Sequence, residues 1–384
     1  MNRILLWASG PVIAFAAVAT VFFAMDPLRP FMAPTPPAEQ LTFERAVLDR
    51  DGIELTVRSA GSEPMRIAQV MVDGAYWNFA QTPPGPIRRL ESVRLAIPYP
   101  WIPGETHKIT VLASSGATFD YLIDNAVATP TLSLRNLTAF GIVGLFVGLV
   151  PVVIGMLFYP ALRRSGPRTF TFALALTVGL LAFLLVDTML EALELAARAA
   201  PGLRPVTMVW LVAGLIFATL MAITHRSGRV LEGLPLAAAI AFGIGLHNFG
   251  EGLAIGSAFA TGAAALGTFL VLGFTLHNIT EGIGIVAPVL GKRPSLWTFA
   301  GLAGLAGLPA VPGIWLGSAA VASHWGALAL AVGSGAILQV IVSVARLLVA
   351  KSRHEETSRV VRPALLGFGA GAGAMYATAL LVGI

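Results

Sequence analysis

The chain has 384 residues, of which 56% are hydrophobic and only 12% charged, and its mean hydropathy is +0.79. A soluble globular protein carries about 25% charged residues, so this balance excludes a disordered chain, sets aside an ordinary soluble enzyme and points to a polytopic membrane protein. The net charge is +5, but the bases form no stripe interleaved with aromatics, which leaves nucleic acid without an argument; the absence of cysteine removes disulfides, thiolate metal sites and cysteine catalysis.

Taken in chain order, Met1–Arg3 is a short positive start, and Ile4 to Ala24 is apolar. A run of about 20 apolar residues can span a bilayer. Residues 1–25 therefore read as an uncleaved transmembrane anchor or as a signal, with Ala-Val-Ala at 17–19 as the cleavage motif in the second case. Either sends the following segment outside. Residues 26–38 form a Pro-rich linker.

Residues 26–135 hold 12 of the 20 acids and 10 of the 25 bases, so this is a hydrophilic island. Within it, 41–43, 53–57, 67–72, 93–97, 108–112 and 118–123 are β-branched or alternating, with turn clusters such as Asp51-Gly52 and Pro83-Pro84-Gly85 between them. Six or seven short strands at this spacing predict a small all-β sandwich outside the cytoplasm. No catalytic constellation is visible in it, and His107 reads as a surface residue.

Residues 136–384 then contain eight apolar runs, about 138–160, 169–195, 205–224, 234–260, 263–290, 297–319, 325–349 and 363–384. Each is long enough to cross hydrocarbon. If the β-rich segment is outside, the inner loops and helix ends hold Arg163, Arg164, Arg168, Arg226, Arg229, Lys292, Arg293, Arg346, Lys351, Arg353, Arg359 and Arg362. The outer ones hold only Arg198 and Arg204. That is a strong positive-inside bias, and it places the C-terminus outside.

Only eight acids lie beyond the island, among them Glu251 and Glu281. Each ends a copy of one motif: Gly243-Ile-Gly-Leu-His247-Asn248-Phe-Gly-Glu251-Gly252 in the fourth run, and Gly273-Phe-Thr-Leu-His277-Asn278-Ile-Thr-Glu281-Gly282 thirty residues later in the fifth. On a helix, residues three and four apart share a face, so His, Asn and Glu of each copy line up. Imidazole nitrogen with carboxylate and amide oxygen suits zinc, iron, manganese, cobalt or nickel better than calcium. Neighbouring antiparallel helices would bring the copies face to face, to hold one metal ion or two sharing the carboxylates. Polar packing between helices accounts for a single His or Asn. It does not account for two carboxylates in identical contexts, each costing about 3 kcal/mol in a bilayer.

With these residues in view, the body over 136–384 resembles the ZIP family of divalent-metal transporters, in its prokaryotic form. The resemblance implies an eight-helix bundle with both termini outside and H-N-x-P-E-G-type motifs on the fourth and fifth helices that form a metal site on the transport path. It implies that His247, Glu251 and Glu281 form a primary site with His277 beside it. Asn248 and Asn278 would belong to a second site sharing the two carboxylates. The segment Val186-Asp187-Thr-Met-Leu-Glu191-Ala-Leu-Glu194 resembles the family's His or Asp followed by L-L-P-E-A-L-E, which makes Asp187 and Glu191 candidates for the metal pathway.

The chain departs from the family at three places. Gly250 and Thr280 stand where the motif has Pro, Gly307 stands where the sixth helix carries an acid, and only His225 marks a loop that is His-rich in many relatives. The missing acid weakens the second site or leaves the first mononuclear. His225 and His354 read as ordinary loop residues, and Gln339 as a polar contact.

The expected function is therefore divalent-metal transport across a cell membrane, as import, with zinc first and iron, manganese or cobalt as other cargo. The protein would not be an enzyme and would use no organic cofactor; the metal is its substrate. No G-x-x-x-x-G-K-[ST] motif is present, so uptake would run on gradients. The other partners of this reading are the lipid bilayer, a second copy in a homodimer and an unidentified partner for the β-rich segment. Two rival readings are a metal-binding sensor or receptor without transport, and an intramembrane metallohydrolase, against which the absence of H-E-x-x-H speaks.

Overall fold

The structure is a computed structural model that describes residues 14–18, 20–21, 39–131, 133–164, 166–224, 231–260, 264–319, 323–352 and 357–382. Most of the expected anchor or signal over 1–25, the Pro-rich linker, His225 and His354 lie outside the described residues.

Eight strands follow: β1 (Leu41–Asp49), β2 (Gly52–Ser59), β3 (Ile67–Val72), β4 (Ala75–Trp77), β5 (Ala80–Thr82), β6 (Ser92–Ile97), β7 (His107–Ala113) and β8 (Thr118–Ile123). They form two antiparallel four-stranded sheets, in the orders β1-β2-β6-β5 and β4-β3-β7-β8. Alternate residues face inward, as the two-residue period of a strand requires. Ile53, Leu55 and Val57 of β2, Val70 and Val72 of β3 and Ile109 and Val111 of β7 meet in one apolar core. Asp73 (φ 51) and Gly74 (φ 82) close the β3–β4 hairpin. Positive φ at both central positions fits the twist of the flanking strands.

His107 is not a surface residue: it is 2% exposed. Its Nδ1 lies 2.8 Å from Oδ2 of Asp73, an oxygen that Tyr99 also reaches with its hydroxyl at 3.0 Å. The Lys108 amide donates to Oδ1 at 2.8 Å. Burial pushes the Asp73 carboxyl up, but these hydrogen bonds outweigh it and hold the group below its ordinary value. The histidine therefore braces the hairpin turn from beneath.

Among the described residues, eight helices then occur that are long and apolar enough to cross a membrane: α1 (Leu134–Arg163), α2 (Pro167–Ala197), α3 (Pro201–Thr224), α4 (Leu234–Ala260), α5 (Gly267–Val289), α6 (Leu296–Ser318), α7 (His324–Ala350) and α8 (Val360–Leu380). Ser133 caps α1 by accepting from the Asn136 amide, and Ser295 caps α6 from Thr298. Prolines open α2 and α3, where a missing N–H costs nothing. Large exposed apolar side chains such as Leu211, Leu215, Leu365 and Leu380 lie on these helices, the kind of surface that lipid covers.

Two interruptions bear on the site. In α1 the residues Leu145–Leu149 form a π turn ahead of Pro151. In α6 the helix stops at Gly307 and resumes at Ala310, across Pro309. Pro removes a donor and clashes with the preceding turn, so both breaks have a local cause.

The helices associate mainly in two groups. In one, α2 packs on α8 and α7, and α7 on α3; in the other, α4 packs on α6 and α5, and α1 on α5 and α6. Helix α7 also packs on α4 and joins the groups. The β domain meets the helices at one end. Glu44, held by Arg58 at 2.6 and 3.1 Å, lies 3.8 Å from the Nδ1 of His324 at the start of α7. Leu90 closes on Gly202 in the first turn of α3, where a Cβ would come within 2.7 Å of Leu90 Cδ2.

Candidate metal centre

The two motif copies sit mid-helix on α4 and α5, and their six His, Asn and Glu side chains are buried. With Gly250 and Thr280 rather than Pro at these positions, both segments are continuous helix. A Cβ at Gly250 would run into Cδ2 of Leu330 from α7, so the glycine is a point of close approach. Thr280 donates its hydroxyl to the His277 carbonyl at 2.6 Å, bonding back into its own helix.

The imidazoles of His247 and His277 converge on one carboxylate oxygen. Oε1 of Glu251 lies 3.0 Å from Nε2 of His247 and 2.5 Å from Nε2 of His277. One ligand atom from each of these three residues falls within 4.8 Å of the other two. That is a compact nitrogen–oxygen donor set drawn from two helices, the chemistry a first-row divalent ion takes.

The symmetry of the sequence does not carry over to the geometry. Glu251 serves both histidines, while Glu281 stands apart from the three-residue cluster. Glu281 lines a cavity with Thr177, Leu184, Ile244 and Met375. Its charge still acts on His247 and His277, yet neither of its oxygens makes a hydrogen bond.

The two asparagines are divided in role. Asn278 Nδ2 donates to the Val147 carbonyl at 3.0 Å and reaches Oε2 of Glu251 at 3.3 Å. Pro151, four residues beyond Val147, has no N–H to offer that carbonyl. Asn248 Nδ2 donates to the Ala306 carbonyl at 3.0 Å, at the break in α6. The amides thus patch the two interrupted helices. Their Oδ1 atoms are left buried and without partners. Four oxygens in this neighbourhood, counting both of Glu281, make no close hydrogen bond, although the Asn248 amide approaches the Glu281 carboxyl; buried acceptors of this kind call for a proton, a water or a cation.

On α2, Asp187 is exposed and Glu191 half-buried. Their charges act on His247 and Glu251, so the pair lies within electrostatic reach of the cluster without joining it. The residue between them that touches the cluster is Thr188, whose hydroxyl lies 2.9 Å from Nδ1 of His247. Sequence reasoning passed over it; the available signal was a hydroxyl beside an acid in an otherwise apolar segment. Gln339 makes the expected polar contact, to Ser343 at 2.9 Å and Thr224 at 3.2 Å.

Neither the protein-family models nor the curated proteins gave a match to this chain.

Proposed function

We propose that this protein carries divalent metal ions across a membrane, in the manner of the ZIP family, with zinc as the first cargo and iron, manganese or cobalt as others. One observation carries the reading: two buried imidazole nitrogens from different helices meet on one buried carboxylate, beside four buried oxygens that make no close hydrogen bond. A closed structural network would satisfy those oxygens internally. A site that receives and gives up a cation leaves them free.

In this reading His247, Glu251 and His277 bind the ion first. Glu281, Asn248 Oδ1 and Asn278 Oδ1 offer further oxygen ligands next to them. Asp187 belongs to the path. A carboxylate facing hydrocarbon would cost about 3 kcal/mol, so an exposed Asp187 marks a water-filled approach rather than a lipid-facing surface. The β domain and the C-terminus lie outside, as the arginine and lysine bias requires. Entering cations gain about 4.6 kcal/mol at 100 mV from an inside-negative potential, at about 2.3 per charge.

The test is uptake of radiolabelled zinc, iron, manganese and cobalt into proteoliposomes holding the full chain. Wild-type protein is expected to transport at least one of them, and Glu251→Ala to abolish that flux. A folded wild-type protein with no flux of any of the four overturns the proposal.

A second reading, a metal-binding receptor without transport, draws on the contact of Glu44 with His324. That contact links the β domain to α7, and α7 packs on α4. Tight metal binding with no flux would favour it.

A further inference from the structure

Threonines in these helices spend their hydroxyls on their own backbone. Thr177 donates to Ala173 at 2.9 Å, Thr275 to Val271 at 2.6 Å and Thr280 to His277 at 2.6 Å. That habit satisfies the hydroxyl without a partner helix. Thr188 differs. It is 1% exposed, and its hydroxyl lies against Nδ1 of His247 at 2.9 Å.

The consequence follows from the two ends of an imidazole. Which nitrogen can bind a metal is set by the hydrogen bond that the other makes. With Nδ1 engaged by Thr188, Nε2 of His247 faces Glu251 and His277. For Nε2 to bind an ion it must be free of a proton, so in the metal-binding state Nδ1–H donates and the Thr188 hydroxyl oxygen accepts. Its β-branched side chain has few rotamers on a helix, which fixes the direction of the bond. Helix α2 belongs to one packing group and α4 to the other, so this bond also crosses the seam between them.

We infer that Thr188 is a positioning residue for the metal centre, holding the His247 ring so that Nε2 stays aimed at the ion. This rests on the metal-transport reading above. Losing such an outer partner costs 10–100-fold in metal affinity in general, and that range is expected here.

The experiment measures zinc affinity of the purified full chain by competition with a chromophoric chelator, alongside metal-free thermal unfolding and the KM and kcat of uptake. Thr188→Val keeps the shape and removes the hydrogen bond; it should weaken zinc binding 10–100-fold and raise KM. Thr188→Ser restores the hydroxyl and should recover most of the affinity. Thr188→Ala replaces the valine variant if that one does not fold. Unchanged affinity in the valine or alanine variant overturns the inference. So does equal loss in the serine variant with a lowered metal-free melting temperature, which is the signature of packing alone. Wild-type protein that binds no zinc, iron, manganese or cobalt would fail the functional reading itself. Wild-type binding abolished by Glu251→Ala but indifferent to Thr188 would fail only this inference.

Discussion

The resemblance to the ZIP family leads to the expectation of an acid at Gly307, and the surroundings of that residue leave no room for one. A Cβ there would lie 2.5 Å from Cα of Leu149 and 2.8 Å from the Gly148 carbonyl. These are backbone atoms of α1, which cannot rotate away as a side chain can. Gly307→Glu should therefore lower the melting temperature of the purified chain rather than complete a second metal site. Overpacking of this kind costs about 1–3 kcal/mol. A stable variant that binds an extra zinc per chain by elemental analysis would refute this. At the residue scale the sequence shows which side chains are exceptional, because buried acids are rare and a doubled motif is rarer. It does not show their rotation about the helix. Glu251 takes both histidines and Glu281 turns to a cavity, a difference that depends on packing of α4 against α5 and has no trace in two matching decapeptides. His107 was misjudged for a related reason: its burial follows from a partner, Asp73, thirty-four residues away.

The interruptions in α1 and α6 face the two motif asparagines, and this relation belongs to whole elements. Pro151 leaves the Val147 carbonyl without its i+4 donor, and Asn278 supplies one; Asn248 serves Ala306, three residues before Pro309, at the break in α6. Asn278→Ala should leave the Val147 carbonyl buried and unserved, at a cost of about 1–3 kcal/mol. In a Pro151→Ala background an N–H returns at position 151 and can serve that carbonyl, so the same asparagine change should cost less. The measurement is thermal unfolding of the two single variants and the double variant. Additive losses would show that Asn278 and Pro151 do not share the carbonyl. Element positions are well marked in the sequence: six apolar or alternating stretches coincide with strands, and eight apolar runs coincide with the eight long helices to within a few residues at most ends. The strands that were not anticipated, β4 and β5, have three residues each, too few for a two-residue period to register. The π turn was not anticipated either, although its local cause, Pro151, stands in the sequence.

Sidedness is a property of the whole molecule, because it depends on every loop at once. The basic residues expected inside outnumber those expected outside by twelve to two, and such a bias sets orientation during insertion. Under this orientation the β domain, the first turn of α3 and the start of α7 share the outer side. Their contacts agree with that, since Glu44 approaches His324 and Leu90 meets Gly202. The loop between α5 and α6, with Gly291, Lys292 and Arg293, then faces the cytoplasm. Because the chain has no cysteine, one introduced thiol reports one place. Ser62 is exposed in the β domain, and Gly291 is exposed with nothing within 4 Å of an added Cβ. In intact cells a membrane-impermeant maleimide should label Ser62→Cys and leave Gly291→Cys untouched until the membrane is permeabilised. The reverse pattern would invert the protein. It would place the domain that touches α7 on the cytoplasmic side and would turn the inward-favouring membrane potential against uptake along the path drawn here.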